Sequence, residues 1–184
     1  MFMELIRSRR SIRRYKRQPL EPWQIDRLVE AALRAPSSRG LNPWELVVVR
    51  DRRVLGELAR AKPHGASFLE AAPLAIVVCA DARTSDVWIE DASIVSTLIL
   101  LTAHSLDLGA CWIQIRNRPH DDARSAESCV RGVLGLPESL SVLSIVAVGG
   151  TDEHKPPHPA GELDYGKVHD GEYGAPWSAK GEGA

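Results

Sequence analysis

Arg7, Arg9, Arg10, Arg13 and Arg14 crowd the first fifteen residues together with Ser11, and Lys16 and Arg17 follow directly. The whole chain carries a formal charge of only -1, so this positive charge is local. A guanidinium presents a planar fork of donors that matches phosphate oxygens, and the Ser11 hydroxyl adds a donor in its midst. The chemistry open to such a segment is to hold an anion, phosphate first of all. The same residues also read as a solvated basic helix end or an address tag, because short Lys/Arg runs are common.

Other residues could join such a site. Pro36, Ser37 and Ser38 offer two hydroxyls and free backbone N–H groups in a loop between a helix and a strand, where ligands are often met; an ordinary Ser-rich turn explains them equally well. Gly149 and Gly150 after a strand would let a ligand approach the backbone closely, or simply make a turn, and Lys155 follows as a second phosphate cation. His154 and His158 have metal-motif spacing, but Pro156 and Pro157 between them forbid the helix that would align their rings, so a surface loop is expected and no metal site. His120, Asp121 and Asp122 sit where a helix should begin, and capping accounts for them. His104 reads as a packed histidine. No GxGxxG, GxxxxGK[ST] or GxSxG occurs, and no catalytic triad or carboxylate pair stands out, so any phosphate site must be built from arginine.

The elements that must position these groups follow from hydrophobic period and breakers. Helices are expected at residues 4–9, 23–35, 53–61, 88–108 and 122–134, the last capped near Asp121 or Asp122, with a short helical turn at 68–72. Strands are expected at 44–49, 74–80, 110–115 and 140–148. Gly109 should end the long helix at 88–108, whose apolar residues spill round more than one face and so require cover on every side. A second subunit or burial within one chain would both supply it. From Thr151 the texture changes to Pro, His, Gly and acidic residues, a tail of about thirty residues that should wrap over something. Alternating strands and helices make a sheet layered with helices without fixing strand direction.

With 184 residues, 44% hydrophobic and 26% charged, the chain reads as one soluble domain over residues 1–177, with 178–184 expected to be disordered. The balanced charge argues against a general nucleic-acid binder. Three cysteines without a CxxC pair fit a reducing cytoplasm, and the apolar stretch at 92–103 falls well short of the ~20 residues that span a membrane.

Taken together, the segments resemble the nitroreductase family of flavoproteins. Arg9, Arg10, Ser11, Ile12, Arg13, Arg14 and Tyr15 resemble its RRSxRx[FY] signature, and Ala35, Pro36, Ser37 and Ser38 followed by Pro43 and Trp44 resemble its APSxxNxQPW segment. Ala71-Ala72-Pro73, the run from Leu108 to Ile113, Leu136-Pro137-Glu138 and Gly149-Gly150 fall in the same order as in that family. The run at 111–118, with Lys155, Pro156, Pro157, Val168 and His169, is similar to a compact subgroup often labelled NADH oxidase or nitroreductase-like. Where relatives commonly carry Asn and Gln before Pro-Trp, this chain has Gly40 and Asn42, so those two amide contacts do not transfer, and Arg39 is a candidate to alter what enters the site.

The resemblance implies an α+β fold with a mostly antiparallel sheet, and an FMN-binding homodimer whose two active sites are shared across the interface. It maps FMN contacts onto Arg9, Arg10, Ser11 and Arg13, with Pro36, Ser37 and Ser38 reaching the flavin from the other subunit and Gly149, Gly150 and Lys155 completing the cradle. It places His64 and the backbone of Trp112, Ile113 and Gln114 near the ring. It assigns no catalytic side chain, since the flavin carries the chemistry. NADH or NADPH would give a hydride to the flavin, and a nitroaromatic, quinone or similar small acceptor would then take two electrons in a ping-pong cycle. Two rivals are a specialised dehalogenating, flavin-cleaving or azoline-oxidising enzyme of the same fold, and a flavin-binding protein without turnover.

Overall fold

The computed structural model describes residues 2–178. The segment expected to be disordered lies, from residue 179 onward, outside the described residues. Four strands, β1 (Trp44–Val49), β2 (Leu74–Asp81), β3 (Leu108–Gln114) and β4 (Leu140–Gly150), form a sheet in the order β1-β2-β4-β3. Every neighbouring pair is antiparallel, which settles the direction that alternation of elements left open. Central β2 reads Leu-Ala-Ile-Val-Val-Cys-Ala without alternation because it is covered on both faces and wholly buried.

Two helices cover one face of the sheet. α2 (Pro22–Leu33) and α4 (Trp88–Ser105) pack on Leu74, Ile76, Val78, Val146 and Val148. The other face, Ala75, Val77, Cys79, Ile145 and Ala147, is covered by α3 (Arg52–Ala59) and α5 (Ala126–Leu134). A buried Ser96–Ser144 hydrogen bond of 2.9 Å ties α4 to β4, each hydroxyl satisfying the other. α1 (Phe2–Ser8) lies against α4, where Ser8 Oγ meets His104 Nε2 at 2.8 Å.

Most boundaries shift by one or two residues from expectation, and three of the differences have a clear local reason. α4 stops at Ser105 because Asp107 takes the left-handed conformation (φ 58°) and reverses the chain, so Gly109 lies inside β3 rather than ending the helix. α5 begins at Ala126 and is capped by Ser125, whose hydroxyl accepts the Ser128 N–H at 3.0 Å. Asp121 instead closes the preceding turn, accepting the Ala123 and Arg124 N–H groups and gripping the Arg124 guanidinium. Finally, β4 runs on through Gly149 and Gly150, which are strand residues and not a turn after the strand.

The α4 helix is not covered all round by its own chain. Ala92, Val95, Ile99 and Ala103 are buried, whereas Ile94 is 38% exposed and Leu98 and Leu101, one and two turns further along the same flank, are half-buried. Phe2, Met3 and Ile6 on α1 are exposed as well. Beyond Lys155 the tail leaves the body: Leu163, Tyr165, Val168 and Trp177 are exposed, and Tyr173 is 93% exposed. Among the described residues, no helix is long and apolar enough to cross a membrane.

Candidate functional site

A pair of glycines seats the basic segment. Gly109 and Gly149 face each other across β3 and β4, and a side chain at either would collide with what lies over it. Ile12 fills the space at Gly109, and Pro73 and Tyr15 fill the space at Gly149. With side chains absent there, residues 11–16 lie close along the edge of the sheet. Ser11 bridges in parallel to Ala110, Ile12 N–H donates to Ala110 C=O at 3.0 Å, and Lys16 N–H donates to Gly150 C=O at 2.8 Å. The Tyr15 hydroxyl donates to Ile12 C=O at 2.5 Å, and burial pushes its pKa well above the ordinary phenol value, keeping it a neutral donor. Gly149 thus packs against the protein's own side chains and leaves no room there for a ligand.

Acidic partners sort the cations. Arg7 pairs with Glu4 at 2.9 Å, and Arg14 lies 3.9 Å from Asp152. Arg10 donates to Pro156 C=O and so fastens the start of the tail. Arg9, half-buried, and Arg13, exposed, have no carboxylate within salt-bridge distance among the described residues, and the Arg13 guanidinium lies 5.8 Å from the centre of the Phe68 ring. Lys155 returns from the tail to donate to Ser11 C=O at 2.8 Å, with Glu153 at 3.1 Å. Burial works against the charge of Glu153, but the Arg13 N–H (2.5 Å), Lys155 and the Arg14 N–H (3.2 Å) outweigh it and hold its pKa below the usual range. That carboxylate is therefore spent on positioning the Arg13 backbone and Lys155. Under the cluster, the buried Cys111 thiol is raised by desolvation while Arg13, Lys155 and Arg9 pull it the other way. Arg9, Ser11, Arg13 and Lys155 thus gather around one thiol as a cationic cradle, in which Arg9 and Arg13 have no carboxylate partner among the described residues and Lys155 is shared with Glu153.

β3 is an edge strand, and its outer side runs away from the cradle. The Ala110 carbonyl points outward to Ile12, and the Gln114 carbonyl points outward to Lys62 Nζ at 3.1 Å. By the two-residue period of a strand, the Trp112 N–H and C=O face the same way, between these two. The Trp112 indole donates to Gln114 Oε1 at 2.9 Å, holding both side chains along the edge. Ile113 turns its side chain into the core and its backbone toward β4. His64 is exposed, and in its neighbourhood Lys62 is the residue that reaches β3. Burial lowers the pKa of Lys62, and Arg118 nearby adds to the effect. Nothing in the sequence spacing marks Lys62; only folding brings it beside Gln114.

The second group lies elsewhere. Pro36 is exposed, and Ser37 and Ser38 are half-buried in a loop that Asn42 closes, its Oδ1 accepting from Ser37 Oγ at 2.7 Å and its N–H donating back at 3.0 Å. Arg39 and Asn42 take left-handed backbone conformations (φ 55° and 46°), and the Arg39 guanidinium pairs with Asp86 at 2.6 Å. What anchors the loop is Asp91, only 3% exposed on the first turn of α4, which accepts the Ser38 N–H at 2.8 Å and the Ser85 hydroxyl at 2.9 Å. In the sequence Asp91 is marked only as an acid directly ahead of the apolar run of α4. From Asp91 to His104, beside which Ser8 lies, α4 rises ~20 Å at 1.5 Å per residue. In one chain the Ser37–Ser38 loop and the cationic cradle therefore stand at opposite ends of α4 and cannot close on one small ligand.

The family profile described as the nitroreductase family matches residues 6–64 and 53–150. A protein of Archaeoglobus fulgidus with the provisional name NADH dehydrogenase/NAD(P)H nitroreductase is 36% identical over 157 residues, covering 83% of this chain and 87% of its own. One of the same name from Methanothermobacter thermautotrophicus is 36% identical over 150 residues, covering 80% of this chain and 75% of its own. Among solved structures, an FMN-dependent nitroreductase from Clostridium difficile R20291 superimposes with a TM-score of 0.91 at 45% identity, covering 93% of this chain and 99% of that one. The basic segment, the Ser37–Ser38 loop and all four strands fall within the matched residues, and the chain belongs to the nitroreductase family.

Proposed function

We propose that this protein is an FMN-dependent oxidoreductase that takes a hydride from NADH or NADPH and passes two electrons to a nitroaromatic, a quinone or a similar small acceptor in a ping-pong cycle. The observation that carries this is the cradle of Arg9, Ser11, Arg13 and Lys155 set at one end of the outer edge of β3, where Trp112 lies between the contacts to Ile12 and to Lys62. The donor set fits a phosphate dianion joined to a flat polar body. Unpaired guanidinium groups take the phosphate, and the outward N–H and C=O of Trp112 are spaced along β3 to meet ring donors and acceptors. FMN, when bound, supplies the redox chemistry itself, accepting a hydride and handing on an electron pair.

The chain's own residues bind and orient. Arg9, Ser11, Arg13 and Lys155 hold the phosphate. Arg10 fastens the start of the tail at Pro156, Gly149 seats the basic segment, and the Gly150 carbonyl accepts the Lys16 N–H. Lys62, with His64 at the mouth, places positive charge at the far end of the strand edge, where it favours an electron-rich ring. The functional unit is a homodimer in which Pro36, Ser37 and Ser38 of a second copy reach the ligand held by the first, since one chain cannot bring them there. Ile94, Leu98 and Leu101 on α4, the exposed face of α1 and the outlying tail are the surfaces that a second copy would cover. Three free thiols fit a cytoplasmic setting.

Purified protein is expected to be yellow, to bleach anaerobically with NADH or NADPH, and to regain colour with an acceptor. Arg9→Ala and Arg13→Ala should each weaken FMN binding roughly tenfold to a hundredfold, as the loss of a charge-assisted hydrogen bond worth ~1.5–3 kcal/mol requires. Arg7→Ala, already paired with Glu4, should not. Protein that cannot be reconstituted with FMN overturns the proposal, and flavin that binds without being reduced by either nicotinamide leaves the non-catalytic rival standing.

A further inference from the structure

Arg17 belongs to the basic run but not to the cradle, and it faces a different cavity. A pocket of about 410 Å³ opens where β1 ends and β2 begins, and Arg17, Arg50 and Arg52 line it together with Leu20, Ile25 and Pro73. The three arginines come from separate places in the chain: the segment after Lys16, the residue following β1, and the first residue of α3. No carboxylate lines the pocket, and none lies within salt-bridge distance of these three guanidinium groups among the described residues. The nearest acid in sequence, Asp51, is committed elsewhere, its Oδ1 capping α3 by accepting the Arg53 and Val54 N–H groups at 2.9 and 3.0 Å.

One of the three is already fixed in place. Arg52 donates from Nη1 to the carbonyls of Glu70 at 3.3 Å and Ala72 at 3.2 Å, which tethers that end of its guanidinium. Arg17 and Arg50, both exposed, have no side-chain hydrogen-bond partner among the described residues. All three are exposed, so water screens their mutual repulsion, and an anion between them would add attraction to each. Three guanidinium groups match a doubly charged phosphate better than a single carboxylate charge. The rest of the wall is apolar, Leu20 being buried and Ile25 half-buried, so the preferred anion carries an apolar body.

We propose that Arg17, Arg50 and Arg52, with the Leu20, Ile25 and Pro73 wall, form a second anion site that takes a phosphate monoester bearing an apolar or aromatic group. Pro73 lines this pocket and also packs over Gly149, while Arg9, Ser11, Arg13 and Lys155 do not line it. The site does not depend on what the cradle holds.

The test is calorimetric titration of the FMN-loaded protein, freed of unbound flavin because free FMN is itself an aromatic phosphate monoester, with phenyl phosphate, inorganic phosphate and phenol at about 0.1 M salt. Phenyl phosphate should bind once per chain, at least tenfold more tightly than inorganic phosphate, while phenol gives no heat. Arg17→Gln and Arg50→Gln should each weaken it about tenfold, and Arg53→Gln, one residue beyond the pocket, should not. FMN fluorescence should stay constant throughout, and reduction by nicotinamide should be unchanged in Arg17→Gln. Absence of phenyl phosphate binding overturns the proposal. So does release of FMN during the titration, which would place the ligand in the cradle, or equal binding by the Arg17→Gln/Arg50→Gln double variant. Equal affinity for inorganic phosphate overturns the assignment of an apolar body.

Discussion

Replacing Gly109 by alanine tests whether the glycine pair is what positions the cationic segment. The added Cβ would lie 2.6 Å from Ile12 Cγ2 and 2.8 Å from Ile12 Cβ, where ordinary contact begins at 3.4 Å. A rotamer change cannot relieve a clash with Cβ itself, so the segment must lift by ~1 Å, at the ~1–3 kcal/mol typical of overpacking. Lifting also strains the Ile12 N–H to Ala110 C=O bond, worth a further ~0.5–1.5 kcal/mol. Gly109→Ala should therefore destabilise the fold by ~2–4 kcal/mol and lower Tm by roughly 4–15 °C for a chain of this size. Gly149→Ala, 2.5 Å from Pro73 Cδ and 3.1 Å from Tyr15 Cδ1, should behave alike. Gly150→Ala is the control, because its Cβ would meet only the flexible Lys16 side chain at 3.6 Å. That change should be neutral, or stabilising by up to ~1 kcal/mol through the unfolded chain. Equilibrium urea unfolding at one fixed protein concentration measures all three, concentration being held because a second copy would stabilise by mass action. FMN retention should fall in Gly109→Ala and Gly149→Ala and hold in Gly150→Ala. Should Gly109→Ala prove as stable as Gly150→Ala, the glycine seat is wrong.

Asp91→Ala leaves the Ser38 N–H and the Ser85 hydroxyl without their acceptor, and should cost ~1–3 kcal/mol and open the loop at residues 36–43 to proteolysis. Asp91→Asn, which keeps an oxygen for Ser38, should recover part of both effects; identical thermal unfolding of Asp91→Ala and wild type would refute the anchor. Stability should also fall in acid. Arg83 beside Asp81, and Arg124 with the Ala123 N–H beside Asp121, lower both carboxyl pKa values to about 2. Because these are depressed below the unfolded value near 3.8, their contribution is complete above about pH 4 and is lost as pH falls through about 2. Urea midpoints measured from pH 5 to pH 2 should decline over that window, and Asp121→Asn should flatten the decline.

Much of this protein is legible without coordinates. The run Trp44-Glu45-Leu46-Val47-Val48-Val49 announces β1 because β-branched residues fit a pleated surface, and the structure begins and ends that strand on those residues. The apolar stretch of β2 likewise declares burial by composition alone, whereas the equally apolar α4 leaves Ile94 exposed. Boundaries slipped where a side chain could do either of two local jobs. Asp121 looked like a helix cap but closes a turn with Arg124, and Gly109 looked like a helix stop but is needed beneath Ile12. Residue types and order along the chain also identified the family, whose motifs are local. The division of labour among the arginines was not legible, because charge pairing depends on residues distant in sequence. Glu153 and Pro156 meet Arg13 and Arg10 across about 140 positions, and Arg17 turns to Arg50 and Arg52. Nor could any sequence pattern show that the Ser37–Ser38 loop and the cradle sit at opposite ends of α4, a separation set by the length and direction of one packed helix. The sequence by itself determined which groups could hold an anion. Tertiary structure alone decided which of them remain free to do so, because a donor's availability depends on every acceptor that folding brings within reach.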